Sequence, residues 1–255
     1  MKNLLEMRNS LKEMVKGSFL DPFARTIWDI VNPPKGSGIT NRQDNAFITQ
    51  IMHRVLNKNS NCIDIGCNTG DFLGEILQLA PLGYHYAFEP IPRLASRLRK
   101  RFPNTDVREI ALSDSEGETT FWYVVSAPAL SSLNQQSCNS RGSNEVTEPI
   151  KVKTQRLDDI LTPDLKIHFI KVDVEGAELQ VFQGANRTLK THKPYIVFEH
   201  GVSDSEGCHD ARIYDLLVNQ CGMQIFGLAS WLDGSAALTQ DEFTKCYAWN
   251  FIATP

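Results

Sequence analysis

Long apolar runs are missing from this chain. Near its start Leu4, Leu5, Met7, Leu11, Met14 and Val15 are interrupted by Lys2, Glu6, Arg8, Lys12 and Glu13. A secretory leader needs roughly seven uninterrupted apolar residues and a membrane span about twenty. Neither is expected anywhere, and the first segment reads as an amphipathic helix. A strong excess of one charge is missing too. A net charge of −4 over 255 residues offers no general attraction for nucleic acid or an anionic membrane. The six cysteines, at positions 62, 67, 138, 208, 221 and 246, form no C-x-x-C pair, so neither a zinc site nor a disulfide framework is indicated. A reducing, cytoplasmic location is the expectation. The histidines lack metal-ligand spacing, and the G-x-G-x-x-G turn of dinucleotide binders does not occur.

What is present is a regular alternation of strands and helices. Apolar residues make up 42% and charged residues 22%, enough for one large domain with its own core. Residues up to about 55 read as helical, broken at Asn32–Gly38 by two prolines and two glycines. Residues 1–58 are read as an N-terminal helical extension and 59–255 as the main domain, with no internal repeat. Strands are expected at Asn61–Ile65, Tyr84–Phe88, Val107–Leu112, Glu118–Val125, Ile150–Arg156, Lys166–Val172, Tyr195–Phe198, Gln224–Leu228 and Tyr247–Ala253. Helices are expected at Asn45–Leu56, Gly70–Leu79, Pro92–Arg101, Ala177–Lys190 and Asp210–Gln220. This order implies an α/β, doubly wound, Rossmann-like fold with a parallel sheet and helices on both faces. The serine- and asparagine-rich stretch Ser126–Glu148 reads as a lid or a loosely ordered loop.

In such sheets ligands bind beyond the carboxyl ends of the strands. Those ends carry Asp64–Gly70, Glu89, Ala111–Asp114, Asp173–Glu178 and Glu199–Gly201, and acids dominate them. The first is a D-x-G-x-N-x-G turn. Asp64 and Asp71 flank it and would repel a pyrophosphate, so a ligand with a cationic end suits it better than a dinucleotide. Glu89 closes the second strand at about the offset where an acid takes ribose hydroxyls. S-adenosylmethionine (SAM), with a sulfonium, an α-amino group and a ribose, fits this combination.

Cys62–Asp71, Phe88-Glu89-Pro90, Ala111-Leu112-Ser113-Asp114, Ser131-Ser132-Leu133 and Ile170–Glu178 (I-K-V-D-V-E-G-A-E) resemble, in order, the blocks of the FkbM family of SAM-dependent methyltransferases. The ending Asn250-Phe251-Ile252-Ala253 is similar to that family's last strand. The resemblance implies a mostly parallel seven-stranded sheet with an antiparallel last strand. It also implies methyl transfer, mostly to hydroxyl oxygen, on sugars, polyketides and related acceptors, with S-adenosylhomocysteine as product. By the same resemblance Asp64, Gly66, Asn68 and Gly70 line the methionine portion, Glu89 holds the ribose, Ser113 and Asp114 lie near the adenine, and Ser132 belongs to a segment folded over the cofactor.

Asp173, Glu175 and His200 are the candidates for orienting the acceptor hydroxyl or taking its proton. Glu178 reads equally as a helix-terminal carboxylate. Asp173 and Glu175 could share a divalent cation, although none is expected. The basic cluster Arg93, Arg97, Arg99, Lys100 and Arg101 reads as a solvated helix face, with a site for a phosphorylated acceptor as the sharper alternative. Trp231, in the loop-like Ala229–Ser235, is the tryptophan best placed for a ligand. Two other readings stay open: a nicotinamide-dependent oxidoreductase, and a non-catalytic SAM-binding module. Partners are expected to be small-molecule or glycan hydroxyl acceptors. The acceptor's identity and the oligomeric state are not readable from the sequence.

Overall fold

The short runs Cys62–Ile65 (β1), His85–Phe88 (β2) and Phe169–Val172 (β7) are buried at every position. Strands covered on both faces belong in the middle of a parallel sheet, and the computed structural model places them there. It describes residues 37–125, 131–133, 146–162, 164–201 and 209–255, to which all structural statements refer. With Asp106–Arg108 (β3), Tyr195–Glu199 (β8), Gln224–Gly227 (β9) and Asn250–Thr254 (β10), these runs make a seven-stranded sheet in the order β3-β2-β1-β7-β8-β10-β9. The pairs from β3 to β8 are parallel, while β10 runs antiparallel to both neighbours. The antiparallel last strand is therefore inserted into the sheet, as the family resemblance implies.

Alternation along each strand sends side chains to two faces. On one face Ile63, Ile65, Phe198 and Phe251 pack with Leu179, Phe182, Leu217 and Phe243. On the other, Cys62, Phe169, Val197 and Ile252 pack with Ile48, Ile51 and Met52 from the helix Ser37–Val55 and Ile76 from the helix Asp71–Leu79. Two compact units divide the chain, Met1–Ala46 and Phe47–Pro255. Most of the extension expected over residues 1–58 lies outside the described residues.

Several elements differ from the sequence expectation. The apolar stretch Val107–Leu112 is not one strand. Glu109 and Ile110 carry the chain from β3 to Ala111–Leu112 (β4), which joins a separate three-stranded sheet with Gly117–Val124 (β5) and Thr147–Gln155 (β6) in the order β4-β6-β5. Hydropathy shows that a segment is extended and buried, not which partner it pairs with. The helix expected over Ala177–Lys190 is two helices, Glu178–Gly184 and Asn186–His192. Buried Asp158 explains the break. Its carboxylate accepts the N–H of Arg187 at 2.8 Å and of Thr188 at 2.9 Å, the orphan donors of a helix start.

The expected helix Asp210–Gln220 opens as an α-turn, Ala211–Tyr214, and continues as a π-turn, Asp215–Gln220. Trp231 is not in a loop. It lies in the helix Leu228–Asp233, 6.2 Å ring to ring from Tyr195, with the Arg54 guanidinium 5.9 Å from its ring centre. Tyr195 begins β8, so this tryptophan sits at the amino edge of the sheet, away from the strand ends that form the site. The helix Ser37–Val55 also starts within the expected break. No described helix is long and apolar enough to cross a membrane.

Gly184 locks the helix layer to the small sheet. A Cβ there would lie 2.0 Å from the Ser113 carbonyl oxygen, so backbone would have to move. Gly184→Ala is expected to lower unfolding free energy by about 2–4 kcal/mol, read as a shift of the urea midpoint at unchanged m-value. A midpoint within experimental error would show that the two layers are not held so closely.

Candidate active site

Strands β1, β2 and β7 end side by side, and the chain leaving each of them turns over one cleft. It is lined by Gly66, Asn68, Glu89, Asp173 and Glu175, by Ile91, Ile110, Ala111, Leu112 and Phe121, and by Ser131 and Leu133 of the serine-rich segment. The empty space is about 550 Å³, open mouth included. One side is apolar and the other acidic.

The turn after β1 can approach the turn after β7 only because residue 66 is glycine. Gly66 has φ +79°, and a Cβ would stand 1.8 Å from the Asp173 carbonyl oxygen. Asn68 follows with φ +48°, a conformation asparagine tolerates better than most residues. Glu89 fixes this turn from the neighbouring strand end. Its Oε2 accepts the Asn68 N–H at 2.8 Å and its Oε1 accepts the Ile91 N–H at 2.9 Å. Each oxygen keeps a second lone pair for a ligand hydroxyl. Burial pushes the Glu89 carboxyl up to about 7, with Asp64 and Asp173 adding to the rise and the two N–H donors opposing it.

Across the cleft the chain leaving β7 is strained. Glu175 adopts φ +56° and Gly176 φ +102°. The Ser132 hydroxyl donates to the Glu175 carbonyl at 2.6 Å and pins this conformation. Ser132 reaches that position by pairing with Trp122 of β5, each residue's N–H donating to the other's carbonyl. Carboxylate oxygens of Asp173, Glu175 and Glu199 lie within 4.8 Å of one another. A divalent cation could be shared at that spacing, but acidic clusters are common without one, and we assign no metal to them.

The sequence candidates thus separate. Gly66, Asn68, Glu89, Asp173 and Glu175 line the cleft. Gly70, at φ +79°, caps the helix Asp71–Leu79, and a Cβ there would strike Leu98 and Phe102 at 2.6 and 2.7 Å. Asp64 is buried beneath the turn, with Oδ1 lacking a hydrogen-bond partner; burial raises its carboxyl, opposed by Lys171. Ser113 turns its hydroxyl to Asp114 and Asp114 is exposed, so the wall next to them is made by Ala111 and Leu112 instead. Ser132 acts through Glu175. His200 lies behind the cleft wall, buried, with Nδ1 3.2 Å from the Glu178 carboxylate and Nε2 accepting the Asp210 N–H at 3.2 Å. That pairing puts the proton on Nδ1 and occupies both ring nitrogens. Glu178 is equally engaged, accepting the Gly176 N–H at 2.9 Å.

One group in this region escapes the sequence reading. Lys171, inside β7, is buried and holds Asp173 Oδ2 at 3.0 Å. Burial works against its charge, but Asp173 and Asp64 outweigh that and keep the ammonium above its ordinary pKa. The signal was available: a lysine inside an otherwise apolar parallel strand needs a buried counter-charge. The basic helix Pro92–Arg101 starts at the cleft wall, right after Ile91, but arginines along it bond to neighbouring elements. Arg99 pairs with Glu109 at 3.2 Å, and Arg101 donates to the Thr69 carbonyl at 2.9 Å.

The family model of the Methyltransferase FkbM domain matches residues 64–225, and the chain belongs to that family. It is 34% identical over 162 residues to the 2-O-methyltransferase NoeI of Sinorhizobium fredii, a match covering 56% of this chain and 63% of that protein. It is 29% identical over 172 residues to methyltransferase sdnD of Sordaria araneosa, covering 55% of this chain and 66% of that one. The chain thus spans less than two thirds of each of these relatives. A solved structure of the methyltransferase FkbM from Methylobacillus flagellatus superposes with a TM-score of 0.48 at 14% identity, covering 78% of this chain and 44% of that one.

Glu89 carries a pH signature. Its folded pKa of about 7 lies above the ordinary 4.5. Between those values the folded state holds a proton that the unfolded chain has released. Stability from this group therefore falls as pH rises from about 4.5 to 7. Glu89→Gln cannot titrate and is expected to flatten that decline by about 2–3 kcal/mol, measured as the difference in unfolding free energy between pH 4.5 and pH 8. Equal slopes for the two proteins would contradict the buried, proton-holding state.

Proposed function

We infer that this chain is a SAM-dependent methyltransferase acting on a hydroxyl of a small-molecule or glycan acceptor. The observation that carries the reading is the cleft itself. A glycine turn fixed by a buried glutamate stands on one side, and a strand-end carboxylate faces it from the other. Glu89, with its unused lone pairs, would take the ribose hydroxyls. Ile91, Ile110, Ala111, Leu112 and Phe121 offer the adenine an apolar wall, and the turn Gly66–Asn68 lies where the methionine portion would run. The acids around the turn suit a cationic ligand and oppose a pyrophosphate.

When bound, SAM supplies an electrophilic methyl group on a sulfonium. Little else is then required of the protein. Alignment of the acceptor oxygen supplies most of the acceleration, and a carboxylate orients the hydroxyl and receives its proton. Asp173 is our choice for that group. It lines the cleft and is part-exposed, whereas His200 spends both ring nitrogens on protein partners. Glu175 and Glu199 complete the acidic rim and would hold neighbouring acceptor hydroxyls. The name of the relative NoeI supports oxygen as the acceptor atom. The missing G-x-G-x-x-G and the acidic turn argue against a nicotinamide cofactor, and titration with NADH followed by its fluorescence tests that alternative.

Asp173→Ala is expected to bind SAM within about threefold of the wild type and to lose at least a hundredfold in kcat. Near-normal kcat would remove Asp173 from the chemistry. Glu89→Ala is expected to weaken SAM binding at least tenfold by calorimetry, and an unchanged Kd would refute the ribose assignment. Turnover, assayed by transfer of labelled methyl to a panel of neutral glycosides and hydroxylated metabolites, is expected to survive EDTA. Loss on chelation with recovery on adding Mg²⁺ would turn the acidic rim into a metal site.

A further inference from the structure

Lys171 is the buried charge that the proposed chemistry leaves unused. It sits inside β7, between Ile170 and Val172, and is 5% exposed. A lysine there is a poor structural choice unless its charge does something, because a parallel strand covered on both faces is normally apolar. Its surroundings are specific. Asp173 lies two residues on, hence on the same side of the strand, and its Oδ2 is 3.0 Å from Nζ. Asp64 is the partner of Lys171 in the β1–β7 register. The Phe72 ring lies 5.0 Å from Nζ, within cation–π range. The ammonium is thus surrounded by two carboxylates and an aromatic face.

We propose that Lys171 is a positioning residue: it holds one oxygen of Asp173 in a fixed ion pair and so presents the other to the acceptor hydroxyl. The pairing solves two problems together. A carboxylate at a strand end has rotational freedom, and a bond from Oδ2 to a buried, immobile ammonium removes it. The Asp173 charge also raises the proton affinity of Asp64 and of Glu89, and Asp64 adds to the rise at Glu89. Lys171 is the cation that relieves this crowding for Asp64. Other groups near the cluster are the Cys67 thiol, buried and protonated, and Asp71 at the start of the next helix. Neither supplies a positive charge. Arg101, the basic group nearest the turn, lies 3.6 Å from Asp71 and donates to Thr69 on the outside.

The proposal rests on the reading of Asp173 as the acceptor-orienting group, and its test separates the two. The probe is the Asp173 carboxyl carbon, followed by ¹³C NMR against pH in the full chain saturated with S-adenosylhomocysteine, in wild type and Lys171→Met. Methionine keeps the length and apolar stem of lysine without the charge. The expected result is a rise of one pH unit or more in the Asp173 titration midpoint together with at least a tenfold fall in kcat, with S-adenosylhomocysteine affinity and acceptor KM each changed less than threefold. An unchanged kcat overturns the proposal as well. An unmoved midpoint in folded Lys171→Met overturns the proposal. If the single variant does not fold, Asp64→Asn/Lys171→Met is compared with Asp64→Asn, so that loss of the Asp64 charge is common to both and only the lysine differs. Turnover of Asp173→Ala decides the underlying reading independently. Retained turnover defeats that reading whatever Lys171 does. Lost turnover with an unmoved midpoint in Lys171→Met defeats this proposal alone.

Discussion

The close approach of two backbone turns, Gly66 over the Asp173 carbonyl, is the constraint on which the site depends. With a side chain at position 66 the turn after β1 would stand away from the turn after β7. The cleft would then lose its registration between the wall that holds Glu89 and the wall that holds Asp173. Everything else elaborates that contact. Glu89 clamps the first turn from β2, and Ser132 pins the second through the Glu175 carbonyl. Two turns of positive-φ residues are thus each tied by a side chain from a neighbouring element, Glu89 on one wall and Ser132 on the other.

Charge is the second determinant. Several carboxylates converge on one rim, and some are buried. Lys171 is a buried cation paired with part-exposed Asp173 and opposite Asp64 in the β1–β7 register, so the three charges form one group. The same acidity makes the cleft hostile to phosphates. The basic helix Pro92–Arg101 spends Arg99 on Val107 and Glu109 at the β3 edge and Arg101 on Thr69 and Asp71 beside the turn after β1.

Much of this was legible in the sequence because it is encoded locally. Buried strands show as short apolar runs, the turn after β1 shows as spaced glycines, and strand-end acids show as acids after apolar runs. Those signals placed the central strands, most of the helices and the five cleft-lining candidates. What was not legible depends on partners distant in the chain. Nothing in Val107–Leu112 says that β4 leaves for another sheet. Nothing near Ala185 says that Asp158 will capture the N–H groups that break the helix. Trp231 was misread because a short helix on the sheet's amino edge resembles a loop when only composition is seen. His200 follows β8 at a strand end, as its place in the sequence implies, but its bonds to Glu178 and to the Asp210 N–H depend on partners the sequence does not reveal. Lys171 was overlooked because it hides in an apolar run, though a charge there is the cue.

A crystal structure of the chain with S-adenosylhomocysteine tests the central claim most directly. The account predicts the ribose hydroxyls on the Glu89 carboxylate, the adenine against Ile91, Ile110 and Leu112, and the sulfur facing the Asp173 side of the cleft. A ligand bound elsewhere, or bound here with its ribose away from Glu89 and its sulfur away from Asp173, would contradict it.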